Sequence, residues 1–364
     1  MSGKAITLLI NSLRGGGAEQ VCVTIANGMA ERGWDVTLVV LNLKDAVYQQ
    51  RLNPRVRLAN LHKGHARTAF FPLWQYFRRE KPKKVLVFNH QLAVLLVLIR
   101  NLSFLPYSII SRNISTLSLK QKNDSSFWHK YVIHFLVELF YNRVDLVIAQ
   151  SSGMKQDLVE YFNFNAEKIT IINNPINPAI ESFADNNDMS KIQKKTYVLC
   201  AGRLDAVKAF YFAIESFALI VHDHPELRLK IAGSGPQEQE LKTLARRAGV
   251  DDKVDFEGFQ RDLIPYYLHA KATILTSLYE GFPNILLESI SLGTPVVAFN
   301  CPSGPREIVA DGVNGYLVRY QDQKHLVKCL KMALDRQWNP QEIALTSERF
   351  KSEVIIREYE SVCS

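Results

Sequence analysis

Cysteine is scarce and scattered in this chain, with 5 among 364 residues at Cys22, Cys200, Cys301, Cys329 and Cys363. An odd number with no C-x-x-C argues against a disulfide framework or a zinc site and makes the cytoplasm the expected compartment. Long hydrophobic runs are missing too. The longest without a charge, Leu92–Ile99, stops at Arg100, well short of the about 20 residues that cross a bilayer. Ile6–Ile10 is too short for a signal peptide and is followed by Asn11 and Ser12. No D-x-D closes a strand-like run, and His222-Asp223-His224 falls in a helix-to-strand loop before Pro225, so no metal is expected. No internal repeat is evident beyond a division into two similar halves.

What is present is basic charge, unevenly spread. The net charge is +8, yet residues 1–180 carry 22 Lys+Arg against 11 Asp+Glu, while residues 181–364 carry 22 against 25. Such asymmetry suggests that the first half faces an anionic partner, either a membrane surface or nucleic acid. No RNA- or DNA-binding motif accompanies the charge, so nucleic acid is not the expected partner.

Short apolar runs alternate with helical patterns, which argues for an α/β fold of parallel sheets flanked by helices. The expected strands are Ala5–Ile10, Asp35–Leu41, Arg57–Leu61, Lys84–Phe88, Tyr107–Ser111, Asp145–Ala149 and Ile169–Ile172 in the first half. In the second half they are Tyr197–Ala201, Leu227–Ala232, Lys253–Phe256, Ala272–Thr276, Pro295–Ala298 and Tyr316–Val318. This predicts two doubly wound, Rossmann-like domains, residues 1–180 and 196–341. Between them 181–195, rich in Asn, Asp and Lys, reads as a linker, and 342–364 is a charged helical tail.

In open parallel sheets, ligands bind beyond the carboxyl ends of the strands. The most informative stretch in that position is Tyr279-Glu280-Gly281-Phe282-Pro283-Asn284-Ile285-Leu286-Leu287-Glu288. Glu280 is expected in a strand-to-helix loop, with a helix over Asn284–Leu292 capped by Asn284 and carrying Glu288 about one turn in. A helix start suits a phosphate; Glu288 would then accept from a ribose diol and Glu280 from sugar hydroxyls. Taken alone, two carboxylates at this spacing are as well explained by a loop cap and a wet helix face.

The neighbours argue for more. The stretch resembles the E-x7-E signature of retaining glycosyltransferases of family 4, and Ser291–Ala298 and Cys301-Pro302-Ser303-Gly304-Pro305-Arg306-Glu307 are similar to the same family. Within it, EGFPN followed by CPSGPRE is most similar to enzymes that build bacterial surface glycans on lipid carriers. The resemblance implies a GT-B fold, two Rossmann-like domains facing a cleft with a final helix crossing back to the first. It implies a donor, UDP-linked N-acetylhexosamine or hexose, and an acceptor glycan on a lipid pyrophosphate, as in capsule, O-antigen or lipopolysaccharide assembly. It also implies peripheral attachment to the cytoplasmic face of the inner membrane through the basic first domain, with no cofactor. Donor contacts are expected from Glu280, Gly281, Phe282, Pro283, Asn284, Ile285 and Glu288. A GT-B nucleotide-sugar epimerase and a non-enzymatic sugar-nucleotide-binding membrane adaptor are the alternatives.

Other strand ends supply further candidates. Gly202-Arg203-Leu204-Asp205-Ala206-Val207-Lys208 opens the second domain; Arg203 and Lys208 are either a surface pair or two fixed cations for a leaving diphosphate, with Lys208 expected to begin a helix. The family resemblance favours the cations, although its usual glycine after the lysine is Ala209 here. Gly258-Phe259 follows a strand where similar enzymes hold the nucleobase. In the first domain, Arg14-Gly15-Gly16-Gly17-Ala18-Glu19 opens a helix and is either a flexible tight turn or a ligand loop whose glycines leave helix N–H groups free for an anion. The resemblance implies that it faces donor phosphates and acceptor, with Gly16 and Gly17 on the donor side and Arg14 on the acceptor side. His90 is an acceptor contact or a histidine satisfied by nearby backbone. Arg112 and Asn113 stand where many family members carry a functional histidine, and Arg112 is expected as a fixed cation for phosphate or acceptor. Arg67–Lys84 interleaves aromatics with bases, either to lie in a membrane interface or to pack on the sheet. Phe127–Tyr141 reads as a mostly buried helix with Lys130, His134 and Glu138 in one polar stripe.

Overall fold

Strands at the heart of each half run parallel to their neighbours, as near-continuous runs of Val, Ile and Leu require when both faces are covered. The computed structural model describes residues 4–114, 116–122 and 134–364. Among these, β1 (Ala5–Ile10), β2 (Asp35–Val40), β3 (Arg57–Asn60), β4 (Lys84–Val87), β5 (Ser108–Arg112), β6 (Leu146–Ala149) and β7 (Ile169–Ile171) form one sheet in the order β3-β2-β1-β4-β5-β6-β7. A second sheet has the order β10-β9-β8-β11-β12-β13, from β8 (Tyr197–Ala201), β9 (Arg228–Ala232), β10 (Val254–Gly258), β11 (Ala272–Leu275), β12 (Val296–Phe299) and β13 (Gly315–Val318). Each sheet reverses its winding once, between β1 and β4 in the first and β8 and β11 in the second. That is where open sheets of this kind bind ligands.

The chain divides into two compact units. One comprises residues 1–177 together with 352–364, the other 178–351. Residues 181–195, expected as a linker, hold most of the helix Pro178–Asn186 and a 3-10 turn over Met189–Lys191. Ile180 is buried on that helix, so the segment packs with the second unit despite its polar composition. The expected tail, 342–364, begins inside the helix Pro340–Leu345 of the second unit and ends with Ser352–Cys363 in the first.

The helix Ser352–Cys363 lies against Gly17–Glu31, burying Ile355, Ile356, Tyr359 and Cys363 in the core around β1 and β2. Contact is close because Gly28 has no side chain. A Cβ built there would come within 2.0 Å of Ile356 Cδ1. Glu360 adds a polar seam by accepting from Trp34 Nε1 at 2.8 Å and from Arg32.

The aromatic and basic stretch Arg67–Lys84 divides its duties. In the helix Phe70–Glu80, Leu73, Tyr76 and Phe77 are buried on the sheet, while Phe71 is 70% exposed and Arg78 stacks over the Trp74 ring at 4.9 Å. Of Phe127–Tyr141, residues up to 133 lie outside the described residues, and the rest begins as the helix His134–Phe140. No helix among the described residues is long and apolar enough to cross a membrane.

Candidate active site

The second sheet's reversal point brings Lys208 and Glu280 together. Lys208 follows β8 and Glu280 follows β11; the Lys208 ammonium donates to Glu280 Oε1 at 2.6 Å. Ser277 Oγ donates to the same oxygen at 2.6 Å. The two loops are also laced through their backbones: Leu278 N–H donates to Val207 O at 2.7 Å and Thr276 Oγ1 to Lys208 O at 3.0 Å. Burial by itself would lower the Lys208 pKa, but the Glu280 charge and hydrogen bond, with Asp205 behind them, hold it above the ordinary lysine value. A permanent cation is thereby fixed beside a carboxylate at a strand edge.

Lys208 does not begin a helix. The helix Phe210–Ile220 starts two residues later, after Ala209 at φ 45°. The left-handed turn at Ala209 is the conformation glycine takes without strain, which explains how alanine stands here in place of the family's usual glycine and at what cost. Arg203 behaves differently from its expected partner. Its side chain is 76% exposed and its guanidinium is engaged by Asp205 Oδ2, with Nε at 2.6 Å. The structure therefore sets Lys208 against Glu280 and leaves Arg203 on the wet side of the loop.

The glutamate loop is held from below. Glu280 N–H donates to Pro302 O at 2.7 Å, Ser303 N–H to Glu280 O at 3.2 Å and Ser303 Oγ to Gly281 O at 3.2 Å. Gly304 (φ 99°) permits this: a Cβ there would lie 2.8 Å from Pro283 Cδ and 2.9 Å from Gly281 O. Phe282 is 5% exposed and meets the Phe350 ring edge-on at 5.5 Å, so it anchors the loop through its side chain. The helix runs Asn284–Ser291 with Pro283 as its N-cap and no side-chain cap bond, which corrects the expectation for Asn284. Asn284 and Ile285 are half-buried, and Gly281 and Pro283 are buried.

Glu288 is no wet helix residue. It is 8% exposed and accepts a hydrogen bond from the Tyr267 hydroxyl at 3.0 Å. Phe259, just after β10, is 58% exposed, beside Gly258 whose carbonyl accepts from Gly233 N–H at 2.8 Å. Asp223 of the His222–His224 loop pairs with Lys331 at 2.5 Å.

In the first unit, Gly16 caps Gly17–Glu31 with no side-chain bond, and both glycines are exposed. A Cβ on Gly16 would meet Glu19 Oε2 at 2.5 Å; Glu19, whose pKa is raised by burial, also accepts from Ser12 Oγ at 3.4 Å. Arg14 is exposed and donates to Lys44 O at 3.3 Å. His90 is buried at the start of the helix His90–Ser103, behind the cap Asn89.

Arg112, expected as a fixed cation for phosphate or acceptor, is held by protein groups. It is fully buried, donates from Nε to the Tyr359 hydroxyl at 2.8 Å and from Nη2 to Asn174 Oδ1, and covers the Phe88 ring at 5.3 Å. Its length carries it into the core, where it ties the final helix to β5. Asn113 is also fully buried, its carbonyl accepting from Gln150 Nε2 at 2.7 Å. Tyr267, Ser277 and Tyr359 were not singled out in sequence. Ser277 alone had a signal, as a hydroxyl next to the end of a strand; the other two sit in helices like any core tyrosine.

Comparison with known proteins identifies the family. The model for Glycosyltransferase Family 4 matches residues 15–180, and that for Glycosyl transferases group 1 matches residues 182–349. The chain is a GT-B glycosyltransferase, its two halves belonging to these two families. An uncharacterized glycosyltransferase of Haemophilus influenzae is 26% identical over 97% of this chain and 98% of its own length. The GalNAc-alpha-(1->4)-GalNAc-alpha-(1->3)-diNAcBac-PP-undecaprenol alpha-1,4-N-acetyl-D-galactosaminyltransferase of Campylobacter jejuni is 24% identical over 96% of this chain and 91% of its own. Among solved structures, Anabaena Alr3699/HepE in complex with UDP-glucose shares the fold with a TM-score of 0.78 and 19% identity, covering 98% of each chain.

Proposed function

We propose that this glycosyltransferase moves a hexose or N-acetylhexosamine from a UDP-sugar to a glycan carried on a lipid pyrophosphate, with retention of anomeric configuration. The observation that carries this reading is the Lys208–Glu280 pair at the second sheet's reversal point. Departure of a nucleoside diphosphate builds negative charge on its terminal phosphate, and a cation already fixed there stabilises the transition state more than the ground state. Glu280, steadied by Ser277, is assigned to accept from donor sugar hydroxyls, and Glu288 from the ribose diol. The sugar's C1–O bond to the diphosphate breaks while the acceptor oxygen bonds to C1 on the same face, and the departing phosphate oxygen takes the acceptor's proton. Arg203, exposed on the loop that leads to Lys208, is assigned to the outer face of the diphosphate.

The Campylobacter jejuni relative, whose name specifies a PP-undecaprenol acceptor, supports the lipid-linked substrate. The complex of Alr3699/HepE with UDP-glucose supports a UDP-linked donor. The excess of bases in residues 1–180 supports attachment to the cytoplasmic face of an anionic membrane. Incubation with UDP-sugars and a pyrophosphate-lipid glycan, followed by UDP release and lipid mass, tests the reading. Gain of one sugar mass is the expected result. Isomerised donor, or tight binding without turnover, would overturn it.

A further inference from the structure

Glu288 is held by a residue that no motif marks. We propose that Tyr267 is a positioning residue, whose hydroxyl fixes the Glu288 carboxylate in the single orientation that meets the donor's ribose; this rests on the reading of Glu288 as the ribose ligand.

Tyr267 lies in the helix Ile264–His269, which precedes β11, and Glu288 in Asn284–Ser291, which follows it. The two helices pack together, and Tyr267 is wholly buried between sheet and helix. Its hydroxyl donates to Glu288 Oε2 at 3.0 Å. Its backbone is pinned as well: Thr294 Oγ1, itself fully buried, donates to Tyr267 O at 2.6 Å. The donor therefore has little freedom to move away from the carboxylate.

A buried carboxylate is costly without hydrogen bonds, and a phenol in a core needs a partner. Each answers the other's need here. Glutamate also has three side-chain torsions to freeze, and freezing them before the ligand arrives removes that cost from binding. A phenylalanine would fill the same volume, so packing alone does not explain the hydroxyl.

The test uses the full chain titrated calorimetrically with UDP and with 2′,3′-dideoxy-UDP. Wild type is expected to prefer UDP. Tyr267→Phe should weaken UDP by about ten-fold, the scale of one hydrogen bond to a charged group, and leave dideoxy-UDP nearly unchanged. In a Glu288→Ala background the same replacement should have no further effect on either nucleotide. Equal weakening of both nucleotides, or no change in either, would overturn the proposal and make Tyr267 a core residue only. If wild type binds both nucleotides equally, the ribose role of Glu288 fails and the proposal goes with it; binding of UDP at all separately tests the choice of donor. Should Tyr267→Phe not fold, Glu288→Asp reads the same geometry. Shortened by one carbon, the carboxylate cannot keep the phenol and reach the diol, so the preference for UDP should collapse; a retained preference overturns the proposal.

Discussion

The Nε–H of Arg112 donates to the hydroxyl of Tyr359 at 2.8 Å, joining the end of β5 to a helix 247 residues further along the chain. Neither partner is accessible to solvent, and the guanidinium also donates to Asn174 Oδ1. Arg112→Met would leave both acceptors buried without their donor and is expected to cost about 2–4 kcal/mol. Hydrogen exchange of Ser352–Cys363 is the proper readout, since two units need not unfold together. Faster exchange of this helix alone is the expected outcome; unchanged protection would show that apolar packing suffices.

Packing against that helix can be probed from the other side. A methyl at Gly28 would collide with Ile356 Cδ1, only 2.0 Å from the added atom. Gly28→Ala should destabilise by roughly 1–3 kcal/mol through overpacking. Adding Ile356→Val, which removes the offending methyl, should restore part of the loss in a denaturant titration. A double variant no more stable than Gly28→Ala would refute the collision as the cause.

In the proposed mechanism the decisive position is Lys208. Its replacement by Met removes the cation paired with Glu280 and should reduce kcat by about 10²–10³, as loss of a preorganised electrostatic group does. The pre-steady-state rate of UDP release measures it. A turnover within a factor of about three of wild type, too small for such a group, would remove Lys208 from the mechanism.

A pH dependence follows from Lys194. Burial pushes its ammonium pKa down to about 8 from the model-compound 10.5, while its Nζ donates to Leu268 O at 2.9 Å and to Thr294 Oγ1. Below pH 8 the group is charged both folded and unfolded, and the folded state bears the burial penalty. As pH rises from about 8 toward 10.5 the folded state releases its proton first, so stability increases across that window. The full shift corresponds to at most roughly 3 kcal/mol. Lys194→Met should abolish this increment relative to wild type in urea titrations at pH 7.5 and 9.5. Parallel pH profiles for the two proteins would contradict the assignment.

Much of the architecture was legible because parallel strands buried on both faces cannot hide their composition. Runs such as Val85–Val87 and Val296–Phe299 are apolar without interruption, and each appears as a strand. Polar residues after these runs marked the loops that hold Lys208 and Glu280. Their ion pair was harder to read, because which side chains meet depends on sheet order rather than on spacing along the chain. Arg112 shows the same limit: its bond to Tyr359, 247 residues further on, has no signal in the local sequence. Residues 181–195 look like a linker by composition, whereas the helix Pro178–Asn186 that overlaps them buries Ile180 and falls within the second unit.

The pairing of Gly28 with Ile356 has a bearing on biosynthesis. Protein emerges from the ribosome in order, so the hydrophobic side of Gly17–Glu31 must wait, uncovered, while all of residues 178–351 are made. The earlier-translated lobe is completed last, and any nascent chain halted before Ile356 presents a bare apolar strip to chaperones.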